Sequence, residues 1–183
     1  MRWSELFADL EAQLDAADRA ELDAQVADRT RRERAAVSWM DRAAAALGAP
    51  LTVHTPCGPV RGSLEDLGAD WLLLDEQGHG RLGSAVLPFS AVLSVTGLPV
   101  RSTDGRGLGR RFGIGVALRA IARDRGAVAV HDIHRGVVVG TVDTVGSDHL
   151  DIAEHPADAV RRSGVLTGHR AVPFRAIAVI RRG

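Results

Sequence analysis

Five of the seven histidines, His131, His134, His149, His155 and His169, fall in the last third of the chain. Imidazoles in such number could hold a metal ion or move protons. His131 and His134 have the HxxH spacing of a helical metal pair. Here, however, that spacing sits on a strand running into a turn, where the two side chains do not share a face. No carboxylate or thiol stands at a supporting distance in sequence, so these residues read as structural or solvent-facing histidines, with no metal and no cofactor. Cys57 is the only cysteine and lies in the turn TPCG with His54 three residues before it. A catalytic thiol needs a base and an oxyanion site, and one histidine across a turn supplies neither arrangement. The carboxylate pairs Glu65-Asp66 and Asp75-Glu76 are adjacent, which on a strand sends them to opposite faces and not toward one substrate. No catalytic residue is assigned, and an enzyme is not expected.

The strongest charge feature is a connector, VRSTDGRGLGRRFGIGVALRAIARDRG. Its GRGLGRRFG loosely resembles a phosphate-cradling loop, but no apolar strand precedes it and the Lys-Ser/Thr of a P-loop is missing. All 23 basic residues of the chain are Arg and the formal net charge is zero. Residues 101–125 nevertheless carry seven Arg against two acids, while residues 1–47 carry ten acids against seven Arg. Arg106, Arg110, Arg111, Arg119 and Arg123 are the candidate nucleic-acid contacts, set against an acidic helical segment that can neutralise them and few aromatic residues to stack on bases.

What must position these residues is a repeated scaffold. The segment Gly48 to Glu76 returns 78 residues later with nine identities in 29 positions and no gap. Gly58, Val60, Gly62, Gly68, Asp70 and Leu72 recur as Gly136, Val138, Gly140, Gly146, Asp148 and Leu150. Each copy closes on the same phrase, LPFSAVLSV at 87–95 and VPFRAIAVI at 172–180. Repeated glycines and alternating apolar residues mean repeated backbone geometry. Each copy reads as five short strands with too little sequence for crossover helices, hence an antiparallel meander. A sheet that small is expected to bury enough only by closing into a barrel. Val60, Leu64, Leu72 and Leu74 should face one core, and Val138, Val142, Leu150 and Ile152 the other.

From Ser4 to Leu47 there is no Gly or Pro, so the segment reads as helix. Trp3, Phe7, Leu10, Leu14 and Ala17 make an apolar stripe, and its phase slips at 15–20, which suggests either a join near Ala16–Asp18 or a change of partner. The polar stretch 28–34 must be solvated or salt-bridged, and Val37, Met40 and Leu47 should dock again. Ile114 to Arg125 reads as a second helix. The expected organisation is a helical segment over 1–47, a first small β-barrel over 48–100, an Arg/Gly-rich linker and helix over 101–125, and a second small β-barrel over 126–183. The class is thus α+β, with two tandem five-stranded antiparallel barrels, each preceded by a helix.

The residues VRGSLEDLGADWLLL with VLPFSAVLSV, and VVGTVDTVGSDHLDI with AVPFRAIAVI, resemble the Sm-like fold, an SH3-type small barrel, over about 110 residues of the chain. Related small barrels such as the PRC-barrel leave much the same pattern. The resemblance implies a Gly at a sharp bend in strand two, here Gly62 and Gly140. RNA-binding Sm proteins use an Asn and an Arg-Gly pair. The corresponding positions here hold Trp71-Leu72 or His149-Leu150, and Pro88-Phe89 or Pro173-Phe174, so the resemblance implies the fold and not that site.

The function expected from the sequence is a non-enzymatic binding or assembly module that recruits a protein partner or self-associates. The alternative is an RNA- or DNA-binding regulator using the Arg-rich connector. A lone cysteine, an acidic N-terminal stretch unlike a signal peptide and the lack of a long uncharged apolar run point to the cytoplasm, away from membranes.

Overall fold

The computed structural model describes residues 3–76, 83–100, 112–156 and 167–182. Contacts divide the chain into two compact units, 1–39 and 40–183. The first is essentially one helix, α1 (Trp3–Ala36), which runs unbroken through the phase slip at 16–18. The helical run breaks instead at Val37–Ser38 and resumes as the short α2 (Trp39–Ala44). The polar stretch of α1 is tied along its own surface, with Arg29 Nε donating to Glu33 at 3.0 Å and Arg31 paired with Asp28. Such i,i+3 and i,i+4 pairs each add a few tenths of a kcal/mol to a solvated helix. Ala43 within α2 and Ala46 just after it are buried, while Leu47 is exposed.

The second unit corrects the expectation of two closed barrels. Ten strands form one continuous antiparallel sheet: β1 (Pro50–Thr55), β2 (Gly58–Leu67), β3 (Trp71–Glu76), β4 (Gly83–Pro88), β5 (Ser94–Thr96), β6 (Ala127–Asp132), β7 (Val137–Val145), β8 (His149–Glu154), β9 (Gly168–Pro173) and β10 (Ile177–Arg182). Their order is β5-β1-β2-β3-β4-β10-β6-β7-β8-β9. Closing each half would require β4 to pair with β5 and β9 with β10. Instead β10 pairs with β6 on one side and with β4 of the other half on the other, through Ile180↔Val86, Arg181↔Ala85 and Arg182↔Ser84. The six-residue β10 is long enough to serve two neighbours, whereas β5 has three residues and pairs with β1 alone. The fold is therefore α+β with a single open sheet, and α3 (Ile114–Asp124) precedes its second half.

The repeat is visible in the hydrogen-bond register. Ser63↔Asp75, Leu64↔Leu74, Asp66↔Leu73 and Leu67↔Leu72 become Thr141↔Ala153, Val142↔Ile152, Thr144↔Asp151 and Val145↔Leu150, with the same bulge at Glu65 and at Asp143. Bulges increase local twist, so both halves coil at one place. Phe89 N–H donates to Asp70 O at 2.8 Å, and Phe174 N–H to Asp148 O at 2.7 Å. The gapless alignment fails at one point. Val53 faces Val60, but it is Val130, and not His131, that faces Val138. The second hairpin holds one residue more, accommodated by the left-handed Arg135 (φ 69°) and by Asp132, whose Oδ1 accepts the N–H groups of His134 and Gly136 at 2.7 and 2.9 Å.

Val60, Leu64, Leu72, Leu74, Val138, Val142, Leu150 and Ile152 are all buried. The core of the second half also takes in Trp71 and Val86 of the first, together with Ile114 and Leu118 of α3.

Gly62 and Gly140 are required by close approach. A Cβ at Gly62 would overlap the Asp75 carbonyl on β3, and one at Gly140 the Ala153 carbonyl on β8. Replacing a strand glycine by alanine normally helps by about 0.5–1 kcal/mol. Overpacking against a backbone atom outweighs that, and Gly62→Ala or Gly140→Ala should destabilise the sheet by about 1–3 kcal/mol. Urea midpoints of both variants, read against wild type, check the sign. An unchanged or raised midpoint would mean that the strands separate freely at these points.

Candidate functional site

Three features of the second unit concentrate polar and exposed groups, and the first is the start of α3. The β2/β3 turn reaches across to it. Asp70 Oδ1 accepts the N–H of Ile114 at 2.7 Å, capping the helix from another part of the chain. The carbonyl of Phe112 receives the Ala69 N–H and the Trp71 indole N–H, both at 3.0 Å. A shallow cleft beside this cap is lined by Asp70, Gly113, Val116, Arg119, Ser147 and Phe174. The carboxylate already occupies the helix N-terminus, where an anion would otherwise bind. Asp148, the repeat counterpart of Asp70, is released from this duty and pairs with His149 Nδ1 at 2.9 Å. That hydrogen bond raises the imidazole above its ordinary value and lowers the carboxyl below its own.

The second feature is the seam between β4 and β10. Arg181 on β10 donates from Nε and Nη2 to the two oxygens of Glu76 on β3, at 2.8 and 3.1 Å. Its Nη1 lies 3.3 Å from His131 Nε2 on β6. Burial, and behind it the positive Arg181, hold His131 below its ordinary pKa, with Glu76 and Asp132 pulling the other way. The two halves also meet at the tips of the β1/β2 and β6/β7 hairpins. The Cys57 thiol donates to the Asp132 carbonyl at 3.0 Å, and Arg135 Nε to the Pro56 carbonyl at 3.1 Å.

The third feature is the pair of sheet ends. Among the described residues β5 and β9 have one strand neighbour each, and an edge strand presents a row of backbone N–H and C=O groups that another chain can pair with. Leu93, just before β5, is 68% exposed. On β9, His169, Arg170 and Ala171 are exposed in succession. Arg170 is held bidentately by Glu154 of β8, at 2.9 and 3.3 Å.

The residues singled out from the sequence are not gathered into one site. Arg106, Arg110 and Arg111 lie outside the described residues. Arg119 and Arg123 are exposed one turn apart on α3, with Arg119 Nη2 donating to Gly146 O at 3.4 Å. Of the histidines, His155 is buried. Its Nδ1 lies 2.9 Å from the carbonyl of Pro156 and its Nε2 2.8 Å from Thr141 Oγ1. A carbonyl can only accept, so Nδ1 is the donor in that contact. His131 belongs to the seam and His149 to an exposed ion pair. Among the described residues no group of three or more His, Cys, Asp or Glu is placed to hold a metal ion. Exposed edge strands were expected from the sequence as the means of recruiting a partner; the Glu76–Arg181 seam was not. The seam was signalled by the lack of any residue equivalent to Arg181 in the first copy, where Thr96 stands.

Comparisons with protein-family models, curated proteins and solved structures gave no match.

Asp70→Ala should cost about 0.5–2 kcal/mol, the usual loss on removing a helix cap, and should raise amide hydrogen exchange through the first turn of α3. Unaltered exchange there would show that the cap holds nothing. For His131 the depressed folded value means that the unfolded chain takes up its proton first as pH falls. The stability it contributes is complete above about 6.5 and is lost on acidification toward the folded value. The exposed His149, raised, acts in the opposite direction. His131→Gln should therefore flatten the fall in stability between pH 7 and 5 relative to wild type, measured by denaturant midpoints at each pH. An unchanged slope would refute the assignment.

Proposed function

We propose that this protein is a non-enzymatic assembly module that recruits a protein partner by strand addition at the open ends of its sheet. The observation that carries this reading is that, among the described residues, one ten-stranded sheet ends in two strands with a single strand neighbour each, β5 and β9. Main-chain hydrogen bonds to such an edge supply affinity, and alternate side chains supply selectivity. A further apolar surface lies on α1, where Trp3, Phe7 and Leu14 are exposed at 76%, 58% and 65%, in the spacing of a helix that packs against another. Exposed aromatic and aliphatic side chains in register are a feature of interaction surfaces. No described helix is long and apolar enough to cross a membrane, and the single cysteine suits a reducing, cytoplasmic setting.

The test is purification of the tagged protein from its native cell under gentle conditions, with and without nuclease, beside a variant carrying Leu93→Glu and Ala171→Glu at the two edges. A partner protein that survives nuclease and is lost from the edge variant is the expected result. A partner or nucleic acid that disappears with nuclease alone, with salt-sensitive binding of the purified protein to RNA or DNA, would favour the Arg-rich connector. Retention by the edge variant would remove the edges from the reading.

A further inference from the structure

We infer that the occupant of these edges is a second copy of the same chain, with β9 of one molecule pairing antiparallel with β5 of the next in the register Val95↔Ala171, Thr96↔Arg170. The inference rests on the strand-addition reading and names its partner.

The internal seam is the template. It joins the fourth strand of the first half, β4, to the fifth strand of the second, β10. What remains unpaired is the complementary set, the fifth strand of the first half and the fourth of the second. Structural equivalence fixes the register. β4 and β9 lie alike on their neighbours, since Leu74↔Ala85 corresponds to Ile152↔Arg170. β5 and β10 do so too, since Val53↔Val95 corresponds to Val130↔Ile180. Carrying Ile180↔Val86 and Arg181↔Ala85 over to the free strands gives the two pairs above; the third seam pair, Arg182↔Ser84, falls on Gly97, where β5 has already ended and φ is 100°.

Side chains at the free edges suit that register. Ala85, Val86 and Ile180 are buried in the seam, whereas their counterparts Arg170 and Ala171 are exposed and Val95 only half-buried. The charge pattern does not oppose the pairing either. In the seam Arg181 stands opposite the small Ala85 and reaches Glu76; at the free edges Arg170 would stand opposite the small Thr96, and already holds Glu154. Glu154 is the repeat counterpart of Glu76. Each junction thus has one guanidinium for one carboxylate, donated from opposite sides. Had both strands carried Arg, like charges would face each other directly, which opposes pairing. The contact is head-to-tail, so every added copy leaves a free edge, and growth continues until a ring closes or a filament forms.

The experiment uses the full chain with Cys57→Ser. Val95→Cys and Ala171→Cys are introduced separately, and the two proteins are oxidised alone and as an equimolar mixture. Disulfide-linked dimer in the mixture and not in either protein alone is expected. Dimer from one variant alone would mean symmetric pairing and would overturn the register, as would no linked dimer in the mixture. Light scattering from about 1 to 100 µM supplies the second arm with native residues. Wild type should grow in mass with concentration, Thr96→Arg should weaken this at least about 10-fold by placing two guanidiniums opposite each other, and Thr96→Arg with Arg170→Ala should restore it by copying the seam. A wild-type monomer throughout, or a Thr96→Arg variant indistinguishable from wild type, overturns self-pairing. If a cellular partner is still lost on changing the edges, strand addition stands without it; if edge variants retain that partner, both readings fall.

Discussion

The fold of the second unit depends on a short seam. Three residue pairs between β4 and β10 turn two five-stranded meanders into one sheet, and the part-buried Glu76–Arg181 pair is set beside them. Removing two charges from water is costly and is offset only by close, well-satisfied geometry. The bidentate contact supplies that geometry, and on the opposite face of the sheet the apolar Ile180–Val86 pair is buried. The charge pair fixes register more than it adds stability. A one-residue slip would turn Arg181 away from Glu76 and send Ile180 to the opposite face.

Copies of one sequence have taken different tasks at equivalent positions. Gly68 lies under the Trp71 ring and Gly146 under that of His149, so each turn is closed by a ring stacked on a bare backbone. Trp71 adds an indole N–H bonded to Phe112, and with Asp70 it anchors the start of α3. The first half therefore positions the helix that covers the second half's core, where Ile114 and Leu118 are buried. The two halves are coupled through this helix as well as through the seam, so neither half is expected to retain its packing alone.

Much of this was legible in the chain and some was not, for physical reasons. Alternation at Val60, Leu64, Leu72 and Leu74 reports which face of a strand is buried, and the eight inward positions follow from it. The glycines at 62 and 140 reported close approach, because no side chain fits there. Closure left no such mark. Whether the fifth strand pairs with its own fourth or with another half's depends on its length and on one long-range contact between Arg181 and Glu76, 105 residues apart in sequence. Residue types alone made α1 a helix, yet its end at Ala36 has no Gly or Pro to announce it. The extra residue in the second hairpin was hidden because Gly48-Ala49 and Gly126-Ala127 still align without a gap. As for candidate chemistry, clustering of histidines in sequence did not become clustering in space. His155 sits under the sheet with Thr141, His131 at the seam and His149 on an exposed turn.

An open repeat sheet carries a consequence that a closed barrel avoids. A barrel satisfies its own edges and hides them; an open sheet of two equivalent halves must end on the two strands that its own seam left unused. Natural edges are commonly protected by charge, shortness or twist, and two of these devices are present, with Arg170 on β9 and only three residues in β5. Both are weak protection here. Arg170 is neutralised by Glu154 and lies along the sheet toward β8, and the short β5 still offers two of the three positions that the seam uses. Edges guarded so lightly, with Leu93 exposed beside one of them, would need little rearrangement to accept the pairing inferred above. The difference between the halves, guanidinium on the fifth strand in one and on the fourth in the other, would keep such a junction from placing two guanidiniums opposite each other.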